Sequence, residues 1–282
     1  MAVAAPGRAR AVTTRWTVLL GLTIVAVAMV LPFGIVTLNA FKSPQEYSAD
    51  GPFSWPDGLY LDGIRDFWDR VDFDQVLTNS AVISGSVAVL AVVLSVFNAY
   101  ALGVGRVRGR QALLVLFIMA NMLPQEALVY PLYTVSKEVG LYDTRLSIVI
   151  IFTVLHTAFG SYLLASVLSA FPRELIDAAE IDGASRWQVL WRIVVPMSRP
   201  TLAVLLVFNF VWTWNEFFLP LIFLVSNDNQ TVPVALGVLQ GQRLMDATMS
   251  SSASLLALIP ALAFFLVFQR TLTRGIAMGA FR

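Results

Sequence analysis

The chain has 282 residues, of which 57% are apolar and 13% are charged, and its mean hydropathy is +0.74. In soluble domains about a quarter of the residues are charged, so this composition predicts an integral membrane protein. A net charge of +1 argues against nucleic-acid binding, and the absence of cysteine excludes disulfides and thiolate chemistry. A single histidine, His156, argues against a multi-histidine metal site or a Ser-His-Asp triad.

Six apolar stretches between charged residues are long enough to cross a bilayer, which takes about 20 helical residues. They cover residues 17–41, 75–105, 111–136, 146–172, 200–227 and 247–269. None of these stretches alternates apolar and polar residues as the strands of a membrane barrel do, so we predict an all-α membrane protein with six transmembrane helices.

Arginine and lysine are distributed unequally between the segments that join these spans. With the N-terminus inside, 13 of them lie in cytoplasmic segments and 6 lie outside. Because cytoplasmic loops are enriched in basic residues, both termini are predicted to be cytoplasmic. The loop 42–74 is then extracytoplasmic, and its eight acids and several aromatic residues favour an ordered cap over a flexible linker.

The loop between the fourth and fifth spans contains the stretch DAAEIDGASRWQVLWRIVVP, residues 177–196. Pro172 marks the exit from the fourth span, and residues 173–182 suit a short helix. Gly183 suits the left-handed position that ends helices. The apolar face of this first helix is predicted to consist of Leu175, Ala178 and Ala179.

A second short helix is predicted to follow in the same loop. Ser185 and Gln188 have the spacing of a capping box at its start, and Pro196 and Pro200 are predicted to close it. One apolar stripe is predicted from the spacing of Trp187, Leu190, Trp191 and Val194.

Two interpretations of this loop are open from its residues. Two helices at a glycine corner would present tryptophans and arginines to a soluble partner. Alternatively, an amphipathic helix would lie in the headgroups, with Trp187 and Trp191 as interfacial anchors.

The stretch resembles the signature loop of binding-protein-dependent ATP-binding-cassette importer permeases. That signature is Glu-Ala-Ala, three residues, Gly, nine residues and Ile-x-Leu-Pro. Here Asp177-Ala178-Ala179 is followed after three residues by Gly183, and after nine more by Ile193-Val194-Val195-Pro196. Asp177 replaces the usual Glu and Val195 the usual Leu, so any ionic contact of the shorter Asp177 side chain has to be made at closer range.

The resemblance extends over roughly residues 16–280 and is to the second permease of carbohydrate importers, the maltose-permease-like class. The glycine-punctuated tail at residues 274–280 is similar as well, although Phe281-Arg282 replaces a usual Lys-Gly ending. The other motifs that carry the resemblance are Met122-Leu123-Pro124-Gln125-Glu126, Pro131-Leu132-Tyr133, Trp214-Asn215-Glu216-Phe217, Pro220-Leu221 and Thr231-Val232-Pro233-Val234.

The resemblance implies a type I importer permease fold in a bacterial or archaeal inner membrane. It implies a cytoplasmic N-terminal segment 1–15 and a permease domain 16–282 that includes a coupling loop 171–200. The coupling residues would be Asp177, Ala178, Ala179, Gly183, Arg186 and Trp187.

The resemblance also implies the partners: a second permease, two cassette ATPases, an extracytoplasmic sugar-binding protein, a saccharide cargo and membrane lipid. The chain has no G-x-x-x-x-G-K-[ST] motif, so it is not expected to hydrolyse ATP. It is expected to hold no cofactor itself, with ATP and Mg bound by the ATPase subunits.

Polar residues inside the spans are candidates for the cargo pathway. An acid at the bilayer centre costs about 2.5–3.5 kcal/mol, so Glu126 and Glu216 are expected to face protein or water. Asn209, Trp212 and Glu216 recur on one helical face that suits a sugar ring. The full candidate set is Asn209, Trp212, Asn215, Glu216, Asn121, Gln125 and Glu126.

These same groups have a structural alternative, which is to hydrogen-bond across helices and hold the permease pair together. His156 lies in a stripe of small and polar residues that favours helix packing over a proton relay. The lack of basic residues in the spans favours a neutral saccharide.

Two other functions fit the composition less well. An ion-coupled secondary transporter usually carries internal repeats, which this chain lacks. A membrane-embedded enzyme would need convergent catalytic groups, and Glu126, Glu216 and His156 lie on three different spans.

Overall fold

The computed structural model describes residues 7–105, 107–241 and 246–280, with side chains described over 15–105, 107–241 and 246–269. Within these residues the chain is helical and has no strand, which confirms the predicted all-α class. The helices are α1 Gly7–Asn39, α2 Pro44–Asp50, α3 Asp62–Val71, α4 Phe73–Gly103, α5 Arg110–Met122, α6 Gln125–Glu138, α7 Arg145–Ser169, α8 Arg173–Ile181, α9 Arg186–Val189, α10 Val195–Asn215, α11 Phe218–Phe223, α12 Val232–Gly241 and α13 Ala247–Ala280.

The described residues form two compact units. One comprises those of 1–69 and 239–256, and the other those of 70–238 and 257–282. Parts of the predicted N-terminal segment 1–15 and the closing pair Phe281-Arg282 lie outside the described residues.

Five helical stretches in the described residues are long and apolar enough to cross a membrane. They are Arg15–Asn39, Phe73–Gly103, Arg145–Ser169, Arg186–Asn215 and Ala247–Gln269. Helices α5 and α6 together meet the same criterion but bend by 96° at their junction. Counted as one broken span, this pair gives six spans, the number predicted.

The third span, predicted as one helix over residues 111–136, is two helices. Leu123 and Pro124 between them both have extended backbone, with ψ of 125° and 137°. The proline ring disfavours helical geometry at the residue before it and removes one N–H from the ladder. Pro124 therefore breaks the span and turns α6 away from α5.

The fifth span also differs from its predicted range of 200–227. Helix α9 continues through a π turn at Leu190–Val194 directly into α10, which ends at Asn215. The prediction that Pro196 and Pro200 close the loop helix is therefore wrong. Pro196 lies in the first turn of α10, where a residue without an N–H is tolerated, and the π turn absorbs the change in hydrogen-bond pattern.

The loop 42–74 contains α2, α3 and several fixed contacts. Ser43 caps α2 by accepting a hydrogen bond from the Glu46 amide at 3.2 Å. The fully buried Lys42 donates from Nζ to the Gly51 carbonyl at 3.0 Å. Such contacts are those of an ordered loop.

The second unit is built on close packing of α4 against α7, with α10 beside them. Gly160 of α7 lies against Ser95 of α4, and Asn98 donates to the Ser161 hydroxyl at 3.0 Å. Within lipid there is no hydrophobic driving force between helices, so their association depends on van der Waals packing. Small residues favour this packing because they let the two backbones approach closely.

A polar cluster holds the ends of these helices to the loop after α11. The fully buried Asn79 donates to the carbonyls of Asp228 and Gln230 at 2.7 and 2.9 Å and accepts from Arg145 at 3.1 Å. Asp143 accepts hydrogen bonds from the amides of Val225 and Ser226 at 2.9 and 3.0 Å, and also from the Ser226 hydroxyl.

Burial raises the pKa of Asp143, but the hydrogen bonds from Ser226 and Val225 lower it by more than burial raises it. The pKa of Asp143 therefore lies below the ordinary value of 3.8. The ionised form is the one that accepts these bonds. Asp143 therefore stabilises the fold at pH values above its unfolded pKa, and this contribution is lost as the pH falls through its folded pKa.

Replacing Gly160 by alanine is expected to destabilise the protein by about 1–3 kcal/mol, because the new Cβ would lie 2.2 Å from the Ser95 hydroxyl and 2.9 Å from its Cβ. Gly85→Ala is the matched control, since nothing lies within 4 Å of its added Cβ. Thermal unfolding in detergent measures both. Equal melting temperatures for the two variants would contradict the close packing of α4 and α7.

Replacing Asp143 by asparagine is expected to lower the melting temperature at pH 7 and to make less difference at an acidic pH below the folded pKa of this carboxyl, where the wild-type group is protonated. The exposed Asp66 provides the control, Asp66→Asn. A melting-temperature difference that stays constant between the two pH values would contradict the assigned role of the carboxylate.

Candidate functional site

The segment 171–200 forms the first of the two short helices predicted for it, and the second is the start of the continuous stretch Arg186–Asn215. Helix α8 ends at Ile181, and Gly183 follows with a φ of +78°, the left-handed conformation that favours glycine. The capping box is complete: Gln188 N–H donates to the Ser185 hydroxyl at 3.3 Å, and Ser185 N–H donates to Gln188 Oε1 at 2.8 Å.

The apolar face of α8 differs from the prediction. Ile176 is buried and Ala179 packs beside it, whereas Leu175 and Ala178 are exposed. Ile181 is 86% exposed. Of the predicted set, Ala179 packs inward and Leu175 and Ala178 do not, because the helix carries apolar residues on both sides and spacing alone did not say which side packs inward.

The second helix of the segment is held by aromatic residues of α4. Trp187 stacks on Phe97 with ring centroids 6.0 Å apart, and Trp191 contacts the same ring edge-on at 6.5 Å. The Tyr100 hydroxyl donates to the Arg186 carbonyl at 3.0 Å. The predicted stripe is divided, since Leu190 and Val194 are buried and the two tryptophans remain partly exposed.

Two of the predicted coupling residues, Asp177 and Arg186, line a cleft of about 630 Å³ next to the ends of α4 and α7. Among the described residues, the side chain of Asp177 has no hydrogen-bond or ion-pair partner. Its carboxylate is exposed.

A second cavity, of about 340 Å³, lies beside the breaks that follow α5 and α10, and we call it the interhelical cavity. Its polar and aromatic lining residues are Asn121, Gln125, His156, Trp212 and Glu216, and its apolar ones are Ala120, Leu123, Leu128 and Leu155. Four predicted pathway residues thus meet at one place.

Glu216 joins the two breaks. It follows the last residue of α10 with extended backbone, and its Oε1 accepts a hydrogen bond from the Phe218 amide at 3.1 Å. Its Oε2 lies 3.5 Å from Gln125 Nε2. The carboxylate therefore satisfies a backbone donor that the helix break exposes, which is required at membrane depth.

Aromatic rings surround the Trp212 side chain. Its ring centroid lies 5.4 Å from that of Phe159, 5.9 Å from that of Phe208 and 5.8 Å from that of His156. Trp212 is still 46% exposed, so one part of the indole is held and another part faces open space.

The other predicted pathway residues do not line this cavity. Asn209 is fully buried, and both polar atoms of its side chain lack a partner among the described residues. Asn215 is exposed and donates to the Val211 carbonyl at 2.8 Å, and Glu126 is exposed in the first turn of α6. The common face predicted for Asn209, Trp212 and Glu216 is not present, because Glu216 lies beyond the end of the helix.

His156 is the cavity residue that the sequence did not assign to the pathway. Its ring stacks on Phe152 at 5.7 Å, which agrees with the packing role predicted for it, and it also reaches the cavity. No local pattern could have indicated this, since His156 and Trp212 lie 56 positions apart on different helices.

Comparison with known proteins gives the family. Residues 91–278 match the family described as binding-protein-dependent transport system inner membrane component. The chain belongs to this family. It is therefore a multi-pass inner-membrane permease that works with a binding protein, and the prediction of a non-catalytic subunit is confirmed at the level of the family.

Individual relatives agree with this assignment. The permease is 26% identical over 259 residues to the diacetylchitobiose uptake system permease NgcG of Streptomyces coelicolor, covering 91% of this chain and 85% of the relative. It is 27% identical over 258 residues to the melibiose/raffinose/stachyose import permease MelC of Bacillus subtilis, covering 91% and 93%.

The fold is shared with a crystal structure of a bacterial ABC transporter involved in the import of the acidic polysaccharide alginate. The TM-score is 0.79 at 20% identity, with 95% of this chain and 99% of that chain covered. The predicted importer permease fold is confirmed.

Replacing Ser185 by alanine is expected to speed hydrogen exchange of the first amides of α9 about fivefold, because loss of an N-cap costs about 1 kcal/mol. Ser185→Asp retains a capping oxygen and serves as the rescue variant. Exchange in Ser185→Ala at the wild-type rate would contradict the capping role.

Proposed function

We propose that this permease is one of two membrane subunits of an ATP-driven saccharide importer, and that it transmits closure of cassette ATPases through α8 and α9. A second permease forms the other half of the pathway, and the binding protein delivers the sugar from outside. ATP and Mg bind to the two ATPase subunits. The N-terminus and C-terminus lie in the cytoplasm in this arrangement.

The observation that carries the proposal is the outward apolar face of α8. Leu175, Ala178 and Ile181 are exposed on a helix whose other side is already packed in the protein. Exposed apolar side chains next to charged ones are typical of a protein-binding surface. The corner at Gly183 gives this helix a fixed end.

The charge of α8 favours a protein partner over lipid headgroups. The helix carries Arg173 but also Glu174, Asp177 and Glu180. Helices that lie on membranes carry Lys and Arg on their polar face because lipid headgroups are often anionic. An acidic helix is repelled by such a surface and suits a partner groove with basic groups.

The saccharide cargo is supported by two observations. The relatives NgcG and MelC are named for the uptake of diacetylchitobiose and of melibiose, raffinose and stachyose. The interhelical cavity combines the Trp212 ring with amide and carboxylate groups, the combination that binds the apolar face and the hydroxyls of a sugar. The residues that line this cavity include no Lys or Arg, so the cavity lacks the basic groups that a phosphate-bearing cargo would require.

Replacing Ile181 by aspartate is expected to reduce ATPase co-purification with the permease more than tenfold, because a charge would be buried in the docking face. Val139→Asp is the matched control, since Val139 is 59% exposed and lies at the end of α6, on the predicted opposite side of the membrane. The tagged permease is purified from its native host, and bound ATPase is quantified.

Normal co-purification of ATPase with Ile181→Asp would overturn the docking role of α8. Loss with both variants would indicate a general folding defect, so a third variant, Leu175→Ala, tests the same face without adding a charge. Leu175→Ala is expected to weaken co-purification severalfold, and wild-type recovery would count against the proposal.

A further inference from the structure

We propose that the interhelical cavity is a saccharide subsite of this subunit that takes one uncharged sugar ring. This inference rests on the proposed function and specifies which part of the cargo this chain contacts. The permease would then be a direct participant in cargo selection as well as a transmitter of ATPase motion.

The size of the cavity suits a single ring. Its volume of about 340 Å³ lies near the lower end of the range for small-molecule pockets, which is about 300–1,000 Å³. The cavity lies where two membrane helices are interrupted, and interruptions at membrane depth occur where the backbone is buried in protein or lines a water-filled path.

Trp212 provides a flat apolar surface in the cavity. The rings of Phe159 and Phe208 hold the indole from the protein side, so its orientation is fixed before a ligand arrives. The exposed part of the indole is open to the C–H face of a sugar ring, and a fixed aromatic side chain loses little conformational entropy on binding.

The polar groups of the cavity are available for hydroxyl groups. The contact of 3.5 Å between Gln125 Nε2 and Glu216 Oε2 is at the limit of a hydrogen bond, so a sugar hydroxyl can replace it at little cost. Asn121 uses its amide nitrogen on the Phe117 carbonyl at 2.7 Å, which leaves its side-chain oxygen as an acceptor.

His156 adds a donor. Its Nδ1 is buried and has no partner among the described residues. Because a buried N–H without an acceptor is unfavourable, we place the ring proton on Nε2. The imidazole, held between Phe152 and Trp212, then offers an N–H to the cavity that it lines.

The charge of the lining selects against acidic sugars. Glu216 is the one charged side chain among the residues that line the cavity, and no Lys or Arg is present there to pair with a uronate carboxylate. An anionic ring would lie next to the Glu216 carboxylate in a medium of low dielectric constant, where like charges repel strongly. An uncharged ring meets no such penalty.

The test replaces the chromosomal copy in the native host and measures uptake of radiolabelled melibiose, raffinose, diacetylchitobiose and digalacturonate. Uptake that disappears when the gene is deleted is attributed to this permease. Trp212→Leu and Glu216→Gln are each expected to lower that uptake about tenfold, the loss expected when a hydrogen bond to a charged group or an aromatic contact is removed. Trp212→Phe is expected to keep most of it.

Two controls separate the subsite from folding and coupling. Trp16→Leu makes the same substitution at an exposed residue of α1 and is expected to leave uptake unchanged. Co-purified ATPase is expected to stay at the wild-type amount in every cavity variant, in contrast to Ile181→Asp.

The outcomes distinguish the two proposals. If no uncharged sugar depends on the gene, the saccharide importer itself is overturned. If uptake depends on the gene but Trp212→Leu and Glu216→Gln transport at the wild-type rate, the subsite alone is overturned. If digalacturonate is the dependent sugar, the selectivity for uncharged rings is overturned.

Discussion

Backbone polar groups within a membrane must find partners inside the protein, and this constraint governs where the chain can leave a helix. The chain does so at Leu123–Pro124 and again at Glu216–Phe217, and both interruptions border the same cavity. The Glu216 carboxylate accepts from the Phe218 amide that the second interruption exposes. The Glu216 carboxylate therefore both satisfies a free backbone amide and gives the cavity its charge. Its position is a consequence of the fold as much as of ligand recognition.

The rest of the second unit supplies a rigid support for these interruptions. Small residues let α4 and α7 approach until Gly160 meets Ser95. Asn79 binds the loop after α11 through two hydrogen bonds and Arg145 of α7 through a third. Helix α7 carries His156 on this support, and α10 carries Trp212. The rings of the cavity are thus positioned by helix packing, which favours a preformed surface over one that orders on binding.

Local chemistry was predictable from the sequence, and tertiary placement was not. The capping box at Ser185 and the left-handed Gly183 depend on neighbouring residues, and both are present as predicted. The burial of Ile176 in place of Leu175 depends on what lies beside α8, which its spacing does not encode. The helical face assigned to Asn209 and Glu216 failed for another reason: the i to i+7 relation holds only while the helix continues, and α10 ends at Asn215.

The continuous stretch of α9, the π turn and α10 begins at the corner that follows the proposed docking helix α8 and ends at the proposed subsite. Residues Arg186 to Asn215 form one stretch of 30 residues, about 45 Å long at 1.5 Å per residue. Its first turns pack on Phe97 and Tyr100 of α4, and its last turn carries Trp212. Had Pro196 and Pro200 ended the loop helix, a flexible joint would separate the two ends. Because the π turn accommodates Pro196 without a break, one continuous helical stretch runs from the residues that follow the proposed docking helix α8 to the proposed subsite.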